Sequence, residues 1–142
     1  MDIKSKPTDE MLEELLHTND IEAYFRENSE YFIDYTVAEY LNYLCDRLGL
    51  KKSEVIKKAE LNEIYGYQIF AGKRIPSRDK LLCIGIAMGL DLSGVNKLMK
   101  TAGYAILYAK SKRDSIIIKA ISNGLSVMET NGKLFESGED TL

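Results

Sequence analysis

Apolar residues recur every three or four positions along nearly the whole chain, and strand-like alternation bounded by turn residues is scarce. That spacing puts one apolar stripe on each of a series of short helices, and such stripes are buried only against one another. The expected fold class is all-α. The chain has 142 residues, 45% of them hydrophobic and 29% charged, enough for one core with a small extension.

Helix boundaries follow from capping chemistry. Thr8, followed by Asp9 and Glu10, is read as the start of a helix carrying Met11, Leu12, Leu15 and Leu16. Asn19 or Asp20 caps a second short helix through Ile21, Tyr24 and Phe25. A longer helix opens at Thr36, presents Val37, Tyr40, Leu41, Leu44 and Leu48, and closes at Gly49. Ser53 with Glu54 starts a short helix bearing Val55, Ile56 and Ala59. Asn62 caps the next, through Ile64, Tyr65, Ile69 and Phe70 to Gly72, with Tyr65 and Phe70 read as core. Pro76 and Ser77 lead into Arg78 to Gly89.

Beyond this point the sequence repeats at an offset of 35 residues. Arg78-Asp79 recurs as Arg113-Asp114, Ile86 as Ile121, Gly89-Leu90 as Gly124-Leu125, Asn96 as Asn131, Gly103 as Gly138 and Leu107 as Leu142. These are eight identities over thirty aligned positions, and they predict that a helix pair at 78–107 is followed by a second at 113–142, stacked on the first.

Charge is distributed unevenly around a net −3. Residues 1–35 hold ten acids and three bases, whereas residues 51–80 hold eight bases and four acids. The longest uncharged run, Leu81 to Leu90, is ten residues, and a membrane helix needs about 20. The N-terminus lacks the order of a signal peptide, so a cytoplasmic location and no membrane partner are expected. Cys45 and Cys83 have no CxxC spacing and are read as reduced core residues, and His17 as a helix-surface residue, so no metal is expected. No arrangement of carboxylates, Cys or His points to catalysis, and no cofactor or enzymatic role is expected. The segment Gly66 to Lys73 is not a nucleotide-binding loop: five residues separate its glycines instead of four, and Arg74 stands where Ser or Thr is required.

The stretch from Leu48-Gly49-Leu50 through Lys52, Ser53 and Ala59 to Asn62, continuing to Gly72-Lys73-Arg74-Ile75-Pro76-Ser77, resembles the phage-repressor (Xre/Cro-type) helix-turn-helix family. The resemblance implies a lambda-repressor-like helix-turn-helix domain at 36–90. An acidic helical extension at 1–35 precedes it and a C-terminal helical region at 91–142 follows. It also implies a sequence-specific DNA-binding transcriptional regulator whose recognition helix, about 62–71, enters the major groove of double-stranded DNA. Glu63, Ile64, Tyr67 and Lys52 would read bases, and Lys73, Arg74 and Arg78 would contact phosphates. Three residues depart from the family pattern. Glu60 stands where a turn glycine is usual, Glu63 places a negative charge near phosphate, and Gly66 replaces a buried branched aliphatic. Because one such helix reads a half-site, a homodimer through the C-terminal helices is expected. The alternative is a protein–protein interaction module on the same scaffold without DNA binding.

Overall fold

The computed structural model describes residues 3–142, which contain nine α-helices and no strand. They are α1 (Thr8–His17), α2 (Ile21–Glu27), α3 (Val37–Leu48), α4 (Lys52–Lys58), α5 (Glu63–Phe70), α6 (Arg78–Ala87), α7 (Leu92–Thr101), α8 (Lys112–Ser122) and α9 (Val127–Glu136). Contacts divide the chain into two units, one ending at Asp34 and the other running from Tyr35 to Leu142. Among the described residues no helix is long and apolar enough to cross a membrane.

In the first unit α1 packs on α2. α1 starts at Thr8, as its sequence implies, with Pro7 in the capping position and no side-chain hydrogen bond there. Asp20 caps α2 by accepting from the Ala23 amide at 3.1 Å. The fully buried Asn28 donates to Glu14 at 3.0 Å and accepts from Lys6 at 2.8 Å, and Lys6 also binds Glu14. The hydrogen bonds from Lys6 and then Asn28 hold the Glu14 carboxyl below its ordinary range.

The second unit opens with a capping box, in which Thr36 accepts from the Glu39 amide and Glu39 from the Thr36 amide, both at 3.1 Å. α3 ends at Gly49 in the left-handed conformation. Ser53 does not start α4. The helix begins one residue earlier, after Lys51, with no side-chain cap, and the residues of its first turn are exposed. α6 is the central element: Leu81, Leu82, Cys83, Ile84 and Gly85 are buried in succession, because α4, α7 and α9 surround it. Full burial of each such aliphatic side chain contributes about 1.5–3 kcal/mol. Cys45 and Cys83 are free and buried, and burial pushes the Cys83 thiol up to about 11.

Two hairpins, α6–α7 and α8–α9, complete the unit, and their hydrogen bonds repeat at the offset seen in the sequence. Arg78 donates from Nε to the Ala105 carbonyl and from Nη2 to that of Ile106, while Arg113 donates likewise to Asp140 and Thr141. Asn96 accepts from the Leu107 amide at 3.0 Å, and Asn131 from the Leu142 amide at 2.7 Å. The charged pairs are exchanged between hairpins. Arg78 forms a bidentate pair with Asp114 (3.2 and 2.9 Å), and Arg113 forms one with Asp79 (2.9 and 3.0 Å). Likewise α6 touches α9 and α7 touches α8. Such reciprocity is the pattern of contacts across a two-fold axis.

Asp114 also accepts from the Tyr108 amide at 3.0 Å, so its loss leaves a guanidinium and an amide unmatched. Asp114→Ala is expected to lower stability by about 3 kcal/mol in urea denaturation, against a change within about 0.5 kcal/mol for Glu136→Ala on the surface.

Candidate nucleic-acid interface

α4 and α5 are joined by residues 59–62, and three local features fix how they meet. The first is the closure of α4. The Glu60 amide donates to Lys57 O at 3.0 Å and the Leu61 amide to Ile56 O at 3.2 Å, a pattern that requires a left-handed residue between them. Glu60 takes that conformation with φ 58°, and it is the non-glycine residue that does so among the described residues. The same closure after α3, α5, α6, α7, α8 and α9 is made by glycine.

The second feature is the cap of α5, where Asn62 accepts from the Tyr65 amide at 3.1 Å. The third is the contact between the helices. A Cβ on Gly66 would stand 2.6 Å from Ile56 Cγ2 and 2.7 Å from its Cγ1. The side chain of Ile56, 2% exposed, therefore fills the space that a branched aliphatic on α5 would fill. Asn42 of α3 ties down the far end of α5 by donating to Phe70 O at 2.9 Å.

This support leaves one face of α5 in solvent. Glu63 is exposed, Ile64 is 71% exposed and Tyr67 42%. Tyr65 is half-buried and Phe70 buried. Lys52 is exposed at the start of α4, its ammonium 5.9 Å from the Phe70 ring centroid. Lys73 and Arg74 follow α5 in an exposed segment, their amides both donating to Gln68 O. Ser53, Ile56, Lys57, Leu61, Glu63 and Tyr67 line a groove of about 300 Å³ between α4 and α5.

Arg78 is already engaged within its own unit: Asp114 and the Ala105 and Ile106 carbonyls take four of the five N–H donors of its guanidinium, which leaves one for an external phosphate. Motif matching also passed over Lys51, Lys57 and Lys58, which are exposed on or beside α4. They contribute to the positive charge of residues 51–80, and that charge was the available sign of them. No family model, curated protein or solved structure matches the chain.

Three substitutions test this geometry. Glu60→Gly is expected to raise stability by about 1 kcal/mol in urea denaturation, by relieving the left-handed strain of a residue with a Cβ. Gly66→Ala is expected to cost about 2 kcal/mol by overpacking. Combined with Ile56→Ala, it should cost distinctly less than the sum of the two single changes, a coupling read from a double-mutant cycle.

Proposed function

We propose that this chain is a sequence-specific DNA-binding transcriptional regulator built on a phage-repressor-like (Xre/Cro-type) helix-turn-helix, acting in the cytoplasm. In this reading α4 and α5 are the two helices of the motif, and α5 enters the major groove, which admits one α-helix. The observation that carries it is the exposed α5 face, Glu63, Ile64 and Tyr67, with exposed Lys52 beside Phe70 at the end of the helix and exposed Lys73 and Arg74 following it. Phosphate contacts from the basic residues set position and supply salt-dependent affinity. On α5, Glu63 accepts from cytosine N4 and Ile64 meets a thymine methyl. A dimer reads two half-sites about 34–36 Å apart.

A second reading rests on a different observation. Ile64 and Ile75 are 71% and 81% exposed, and Glu63 and Tyr67 line one groove beside α4, a mixture of apolar and acidic surface suited to a protein partner.

Gel-shift titrations against genomic fragments over a series of salt concentrations separate the two. Lys73→Ala with Arg74→Ala is expected to weaken binding on all sequences alike and to flatten the salt slope by about 2. Glu63→Gln is expected to shift sequence preference by about 1–3 kcal/mol at one base pair. Absence of binding by the unsubstituted chain, with stoichiometric capture of one protein that Ile64→Lys abolishes, would establish the second reading instead.

A further inference from the structure

The last helix, α9, carries an apolar face that nothing in its own unit covers. Met128 is 69% exposed and Phe135 77%, and Gly132 lies between them, where an added Cβ would meet nothing within 4 Å. Spaced at i, i+4 and i+7, the three residues lie along one side of the helix. The 35-residue repeat supplies an internal comparison. The aligned positions on α7 are Ser93, Lys97 and Lys100, so the first hairpin is polar where the second is apolar. The reverse holds beside it: Leu98, fully buried in the first hairpin, is matched by the exposed Lys133 in the second. Mutual exposure of aligned hairpins would have left both faces polar, and a greasy surface on a single helix is a departure that needs an occupant.

We propose that the occupant is a second copy of this chain, with α9 of each molecule crossing the other antiparallel about a two-fold axis between Asn131 and Gly132. The charges beside the apolar face select this arrangement. Glu129 and Lys133 lie one turn apart on the same flank. Antiparallel pairing keeps the same flank of both helices together and brings Glu129 near Lys133 of the second copy and Lys133 near its Glu129, whereas parallel pairing carries the two flanks to opposite sides of the pair, where these charges do not meet. One carboxylate oxygen of Glu129 closes the capping box at 3.0 Å with the Ser126 amide, which fixes the side chain at the start of the helix. In the same register Met128 meets Phe135 of the second copy, a sulfur–aromatic contact, and Gly132 lets the two backbones approach at the crossing. A single helix pair covers less than the roughly 1,200 Å² of a standard interface, so the association is weak and concentration-dependent. It deepens the DNA-binding reading by supplying the second recognition helix, but it stands on α9 alone.

Sedimentation equilibrium of the full chain from about 1 µM to about 1 mM tests it. The mass is expected to rise from 16.1 kDa toward twice that value. Met128→Ser with Phe135→Lys, which installs the residues of α7 at the same places, is expected to hold the monomer mass with thermal unfolding unchanged at the dilute end. Gly132→Cys is expected to oxidise to a covalent dimer, and Ser93→Cys, at the position aligned with Met128, is not. A wild-type chain that stays monomeric throughout, or a double variant that associates as the wild type does, overturns the proposal. A monomer that still shifts DNA sinks this interface and leaves the DNA reading standing. A dimer that shifts no DNA does the reverse.

Discussion

The exchange of Arg–Asp pairs between the two hairpins is the constraint on which the second unit rests. Each arginine spans three things at once: the carboxylate of the other hairpin and two carbonyls that follow its own. The carbonyls lie in stretches without regular structure, where an unpaired backbone group costs free energy comparable to a lost hydrogen bond. Arg78 thereby holds residues 105 and 106 while Asn96 takes the next amide and Asp114 the one after. The connection from α7 to α8 is ordered by side chains rather than by a helix or a strand.

That ordering positions α6, and α6 carries the candidate interface. Its run of buried residues forms the floor on which α4 lies, and α4 in turn sets α5 through the contact of Ile56 with Gly66. The exposed face of α5 is thus linked through α4 to α6, the helix that Arg78 of the charged exchange opens. Binding surfaces placed on such rigid support lose little conformational entropy on contact.

The helices were legible in the sequence because their ends are written in local chemistry. Thr36 and Glu39 make the box their spacing implies, Asn62 and Ser77 cap the helices that follow them, and Gly49, Gly72, Gly89 and Gly124 sit in the left-handed conformation. Glu60 was visible as a misfit at a turn, and its positive φ is the form that misfit takes. What depends on distance through space was not legible. Ile56 filling the gap at Gly66 follows from how closely α4 and α5 approach, which neither helix states alone. Arg78 read as a free cation because its partner, Asp114, is 36 residues away, although both residues stood in the repeat.

The reciprocal pairing also bears on how a chain of this kind can change over generations. In a symmetric pair of identical hairpins, one altered codon would remove both bridges together, so neither could vary alone. Joined in a single chain, Arg78–Asp114 and Arg113–Asp79 are encoded at separate places and are separately mutable. A single chain therefore leaves each hairpin free to differ from the other, as the Ser93, Lys97 and Lys100 positions and the Met128, Gly132 and Phe135 positions do.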